Sequence, residues 1–173
     1  MRDIGLGDGQ YRVAVYVAKG PPMAELQGLD ELRPLVGGEI DHINAACGNG
    51  WRKLFNVYAK VLFALPDAFG FAEQAPTWQR YRDERLLQPG STTALLLSPP
   101  RLGERPDVLH IIAGRTHARD LLARGELQAQ LTWLDEEFAI CPEHRLLVCP
   151  YFDYRQLSNS KIARLSELVA AMA

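Results

Sequence analysis

Cysteine is scarce in this chain and carries no pattern: Cys47, Cys141 and Cys149 are an odd number, and no CxxC pair occurs. That argues against a disulfide framework and leaves no metal-like spacing. It is the usage of reduced thiols in a cytoplasmic protein. Long apolar runs are also missing. The longest are a few residues, far below the roughly 20 that a membrane helix needs, and the opening Met1-Arg2-Asp3-Ile4-Gly5 has no apolar signal core. A cytoplasmic location without a membrane partner is therefore expected. Charge of one sign is missing as well. The formal net charge is -2, so a nucleic-acid ligand would have to meet a local basic patch rather than a general basic field. Lysine is rare, 4 residues against 15 arginines, a bias that genome composition produces as readily as phosphate recognition does.

Familiar catalytic signatures are absent too. No dinucleotide glycine fingerprint follows the first apolar strand, and there is no nucleophile elbow and no metalloprotease motif. The glycines of Asn44-Ala45-Ala46-Cys47-Gly48-Asn49-Gly50-Trp51-Arg52-Lys53 lack the Gly-Lys-Ser/Thr ending of a phosphate-binding loop. His110, inside an apolar run, has no further zinc ligands at workable spacing and reads as a hydrogen-bonded core histidine. Neither a metal nor a cofactor is expected.

What is present is the pattern of an α/β domain. The 173 residues favour one domain, residues 1–173, which buries roughly 70% of its unfolded surface without staples. Apolar, β-branched runs at Tyr11–Lys19, Thr92–Ser98, Val108–Ala113 and Arg145–Cys149 read as strands buried on both faces. Between them lie helical segments. The strongest starts at Trp51, with Leu54, Phe55, Tyr58, Val61, Leu62 and Leu65 on one face, and Pro66 ends it. Pro76 opens a helix through Thr77–Gln88, His117–Arg124 forms a short one, and Leu127, Leu131 and Leu134 suggest another. The last runs from Ser158 or Asn159 with Ile162, Leu165, Leu168, Val169 and Met172 inward. Ala24–Val36 is weakly helical. The alternation predicts a three-layer fold with a mostly parallel, roughly four-stranded sheet flanked by helices. The Ser98–Val108 link is too short for a helical crossover, so those strands either pair antiparallel or are joined by bare coil.

In such a fold ligands bind at the carboxyl ends of the strands. The densest loop there is Pro150-Tyr151-Phe152-Asp153-Tyr154-Arg155-Gln156-Leu157-Ser158-Asn159. Tyr151 is suited to stack on a base, Asp153 to accept a proton or orient water, and Arg155 to hold a phosphate in a bidentate fork. Asn159 completes the set. The structural alternative is that Tyr151 and Phe152 pack the end of the sheet, Asp153 pairs with Arg155, and Asn159 is a helix cap. Gly114-Arg115-Thr116-His117-Ala118 offers a glycine-led helix start whose free N–H groups suit an anion, with Thr116 as candidate ligand or plain cap. Asn49 is the candidate of the second glycine cluster, or the cap of the helix that follows it.

Taken together, these segments resemble an uncharacterised bacterial family of small cytosolic proteins. Their order is also distantly similar to the uracil-DNA glycosylase superfamily. That resemblance implies a four-stranded parallel sheet with a catalytic loop after its first strand. It implies a glycine-led helix start where Gly114-Arg115-Thr116-His117-Ala118 lies, and a DNA-clasping loop at Pro150–Asn159. The chain departs from it in three places. Ala18-Lys19-Gly20-Pro21-Pro22 has no acid or asparagine to activate water, the final loop has no His-Pro-Ser, and the helix expected between the middle strands is missing. The expectation is therefore a nucleobase- or nucleotide-binding protein, with or without glycosylase activity. Asp153 is its candidate catalytic residue, and Tyr151, Arg155, Asn159, Thr116 and Asn49 are its candidate ligand contacts. The alternative is a non-catalytic interaction domain that forms a homodimer through Tyr151, Phe152 and Tyr154.

Overall fold

The computed structural model describes residues 2–172. In chain order the elements are β1 (Gly5–Gly7), β2 (Val13–Tyr16), β3 (Leu32–Arg33), α1 (Glu39–Cys47), α2 (Asn49–Ala64), α3 (Trp78–Glu84), β4 (Thr93–Leu96), β5 (Leu109–Ala113), α4 (Arg115–Ala123), β6 (Thr132–Trp133), β7 (Ala139–Cys141), β8 (Leu146–Cys149) and α5 (Asn159–Ala171). All strands join one sheet in the order β3-β1-β4-β2-β5-β8-β7-β6. Its centre is parallel: β4, β2, β5 and β8 run side by side in one direction. The sheet as a whole is mixed and twice the expected size. β1 lies antiparallel to β4 with β3 parallel to β1, and β7 and β6 extend the other side as antiparallel strands.

The four extra strands are two or three residues long, too short to show a period. β1 is hidden further by its composition, because glycine is a poor strand former. Here it is required. Gly5 and Gly7 sit at φ 153° and 134°, and a Cβ would fall 2.2 Å from the Leu95 carbonyl oxygen and 2.5 Å from that of Thr93. Only bare backbone lets β1 come so close to β4. Both outer strands, β3 and β6, have two residues, which leaves little exposed edge for another chain to pair with.

The segment from Leu97 to Val108 takes the second of its two expected courses. β4 and β5 do not pair; both lie parallel to β2, one on each side of it. The link crosses as coil with one 3-10 turn at Leu102–Glu104. Leu127, Leu131 and Leu134 do not form a helix. α4 ends at Gly125 (φ 71°), and the chain continues extended into the β6–β7 hairpin. Asp135 builds that turn by accepting from the N–H groups of Glu137 and Phe138, both at 2.8 Å. Ala24–Val36 is helical only for one 3-10 turn, Ala24–Leu26, before β3.

Alternation along the central strands builds two cores. Val13, Val15, Leu95, Leu109, Ile111, Leu147 and Cys149 pack with residues of α1, α2, α3 and α5. Ala14, Tyr16, Ala94, Leu96, Ile112, Leu146 and Val148 pack beneath α4, Leu102 and Leu127. Burial of both faces explains the continuous apolar strands. α2 buries Leu54, Phe55, Tyr58, Val61 and Leu62 as its spacing requires. No described helix is long and apolar enough to cross a membrane.

Helix starts follow two mechanisms. Thr77 caps α3 with its side chain, which accepts from the Arg80 N–H at 3.2 Å. Thr77→Ala is expected to lower stability by about 1 kcal/mol, measured as a lower denaturant midpoint. α2 and α4 are instead preceded by Gly48 and Gly114 without a side-chain cap. Neither Asn49 nor Thr116 therefore caps its helix. Each lies inside it, Asn49 at the first helical position.

Candidate functional site

A cavity of about 590 Å³ opens at the carboxyl ends of β2, β5 and β8. The chain leaves β2 toward β4 on one side, whereas it leaves β5 toward β8 on the other, so the crevice lies where the connections diverge. Such a switch point leaves a gap that no crossover fills. Ala18 lines it from the loop after β2, Ala113 and Gly114 from the end of β5, Arg115, Thr116, His117 and Asp120 from α4, Pro150, Tyr151 and Gln156 from the loop after β8, and Glu136 and Glu137 from the hairpin turn.

Gly114 fixes the local geometry. At φ 97° it turns the strand sharply into α4, while its N–H donates to the Cys149 carbonyl at 2.8 Å and ties the end of β5 to the end of β8. The N–H groups of Arg115, Thr116 and His117 occupy the first turn of α4, where a helix offers them no carbonyl acceptor, and no side chain caps them. They carry the partial positive charge of the helix start. Tyr151 stands beside them: a Cβ at position 114 would lie 3.8 Å from the Tyr151 Cβ. The Tyr151 ring is partly exposed, and burial, followed by the Asp153 charge, raises its phenol above the ordinary value.

Charge in the cavity is mixed. Arg115 donates to the Glu136 carbonyl at 3.1 Å. Glu137 is paired with Lys161 at 2.8 Å. Burial and then the Arg124 charge hold the His117 imidazole below its usual pKa of 6.5, so it is mostly neutral at pH 7. Asp120 and Glu136 add negative charge. Such a lining does not suit a long polyanion, but it suits a compact ligand with donors as well as acceptors.

The structure divides the residues singled out in the sequence. Thr116 and Tyr151 line the cavity; Asp153, Arg155, Asn159 and Asn49 do not. Asp153 is engaged within its own loop. Its carboxylate accepts from the Arg155 N–H at 2.9 Å and from the Arg155 guanidinium at 3.0 and 3.3 Å. These bonds hold it below the usual carboxylate range, with Lys53 4.0 Å away. Its own carbonyl accepts from the N–H groups of Gln156 and Leu157, both at 2.8 Å, so Asp153 folds the loop that presents Tyr151 and Gln156. The Asn159 side chain accepts from the Lys60 ammonium of α2 at 3.2 Å. Asn49 is exposed at the start of the same helix.

The aromatic trio of the interaction reading also divides. Phe152 is fully buried and sits edge-on to Tyr58, with ring centroids 5.8 Å apart. It belongs to the core, not to a contact surface. Tyr154 is exposed and lies 5.5 Å beneath the Lys53 ammonium. Glu136, Glu137 and Gln156 are site residues that sequence reading missed. The run Asp135-Glu136-Glu137 between Trp133 and Phe138 was the signal for the turn, masked by the leucine spacing around it.

Residues 4–170 match the family described as "Family of unknown function (DUF6942)", and the chain belongs to that family. No curated protein and no solved structure matches it. An uncharacterised family agrees with the broader of the two resemblances seen in the sequence. The uracil-DNA glycosylase superfamily does not appear among the matches.

Proposed function

We propose that this member of the DUF6942 family binds a compact ligand carrying a nucleobase in the cavity at the ends of β2, β5 and β8. The observation that carries this reading is the convergence of Tyr151 with the uncapped first turn of α4 on one crevice. Tyr151 supplies a face on which a flat ring stacks. The Gln156 amide supplies a donor and an acceptor for the ring edge. The Thr116 hydroxyl and the first-turn N–H groups receive a single phosphate. Asp120 and Glu136 disfavour an extended polynucleotide, so the ligand is a base, nucleoside or mononucleotide.

The glycosylase resemblance bears on the same crevice. Its helix start after β5 and its loop after β8 both line the cavity, but the water-activating acid would come from the loop after β2. The cavity residue from that loop is Ala18. Asp153, the other candidate base, is held by Arg155 outside the cavity. Binding is therefore the reading supported best, without base excision.

Calorimetric titration with uridine and adenosine monophosphates, and with the free bases, tests it. Tyr151→Ala is expected to weaken every ligand roughly tenfold, and Thr116→Val to weaken the nucleotides while leaving the free bases unchanged. If the unsubstituted protein takes up none of them, the proposal falls. Homodimerisation through the aromatic loop would have to rest on Tyr151 and Tyr154, since Phe152 is core. A protein that elutes as a monomer at high concentration would remove that alternative.

A further inference from the structure

The turn between β7 and β8 gathers three metal-ligating side chains that the cavity does not use. Cys141 closes β7, Pro142–His144 form a 3-10 turn, and Arg145 at φ 51° swings the chain back into β8. In 3-10 geometry side chains three apart eclipse, which brings Cys141 and His144 to the same side with Glu143 between them. The Cys141 Sγ lies 3.8 Å from a Glu143 carboxylate oxygen, and the His144 Nε2 lies 3.9 Å from that same oxygen. All three ligand atoms fall within 4.8 Å of one another.

A tetrahedral zinc shell, with bonds of about 2.0–2.3 Å, sets its ligand atoms roughly 3.3–3.8 Å apart. The observed spacing is a side-chain rotation away from that. The two residues that must rotate are free to do so, since Glu143 is 73% and His144 32% exposed, and neither has another ion-pair partner among the described residues. Cys141 is already placed. It is buried at the end of β7, with its Sγ turned toward the Glu143 carboxylate.

We infer that Cys141, Glu143 and His144 form a binding site for a zinc-class divalent cation, with the fourth position open to solvent. A sulfur, nitrogen and oxygen set selects such an ion over magnesium or calcium. The site lies at the amino end of β8, about 13 Å along the strand from the cavity at its carboxyl end. It is independent of the nucleobase reading. Its effect is to stiffen the β7–β8 turn, at the end of β7 opposite the turn that carries Glu136 and Glu137 into the cavity.

Cobalt(II) titration of the tag-free, chelator-treated protein tests this, because a thiolate ligand gives a near-ultraviolet charge-transfer band and four-coordination gives intense visible bands. One equivalent is expected to saturate both, and zinc to displace the cobalt. Glu143→Gln and His144→Gln are surface changes that leave the core intact, and each is expected to weaken the affinity roughly tenfold or more. Cys47→Ser should leave the bands unchanged. The assignment is overturned if the charge-transfer band is absent, if it depends on Cys47, or if either surface variant binds cobalt as tightly as the unsubstituted protein.

Discussion

Phe152→Ala is expected to destabilise the folded chain by about 3–5 kcal/mol. The ring is fully buried and meets Tyr58 edge-on. The walls of the resulting void are not free to close. Tyr58 is held by its hydroxyl, which donates to the Ala94 carbonyl at 2.8 Å. Leu157 and Ile162 are buried in the same core. The cost is therefore the lost transfer energy of the ring plus a cavity that stays open. Equilibrium unfolding in urea measures it, and a loss below about 1 kcal/mol would show that the ring is not packed as described. The neighbouring residue gives the contrast. Tyr151→Ala removes a ring that is 37% exposed, so it should act on ligand binding far more than on stability. Adjacent residues thus serve opposite sides of one loop, one facing the cavity and one the core.

Lowering the pH from 7 toward 4 is expected to cost about 3 kcal/mol of stability through His110 alone. The ring is fully buried behind α4 and the 97–108 link. Its Nε2 lies 3.1 Å from the Arg105 carbonyl, which can only accept, so that nitrogen carries the hydrogen. Its Nδ1 therefore accepts from the Tyr16 hydroxyl at 2.7 Å. Both nitrogens are used by the neutral ring, and a second proton would take away the acceptor of Tyr16. Burial is the largest cause, and it lowers His110 from 6.5 to about 4, although the Arg105 carbonyl and the Asp3 charge act the other way. Between those two values the unfolded chain binds a proton that the folded chain does not. Stability therefore falls as pH drops through this window and is flat above it.

His117, also held low, adds a smaller slope of the same sign. Asp135 and Asp153 are lowered by their hydrogen bonds, and their contribution is lost only below the ordinary carboxylate range, in a separate window. Urea midpoints at pH 7 and at about pH 4.5 should differ in the unsubstituted protein and differ much less in His110→Gln. Equal midpoints in the unsubstituted protein would contradict a buried neutral ring.

A polar network beside that ring shows why some of the pairing in the fold could not be read from local sequence. Asp3 takes bonds from Arg101 at 2.9 and 3.0 Å and from Tyr11 at 2.8 Å, nearly a hundred positions apart in the arginine's case. Nothing local in Met1-Arg2-Asp3 announces such a partner. Asp153 posed the converse problem. Its partner, Arg155, is two positions away, and both roles weighed for the pair, a ligand clamp and a closed turn, use the same two side chains. Only the direction of the carboxylate separates them. Cys141, Glu143 and His144 sit within four positions, yet they follow no familiar spacing, and it took a 3-10 turn to bring their tips together.

The chain by itself determined the parts that depend on local periodicity and burial. These were the four central strands, α2 with its apolar face, a helix after Pro76, α5, and the placing of Tyr151 and Thr116 at strand ends. Each is written in side chains that repeat at the spacing of the element they build, because burying one face of a helix or both faces of a strand requires it. Tertiary structure decided what has no period: the two-residue edge strands, β1 with its two glycines, and the hairpin that imitated a helix through three leucines. It also decided which polar groups meet in the cavity and which satisfy one another, since a carboxylate or a tyrosine serves either purpose equally well until distant segments are packed against it.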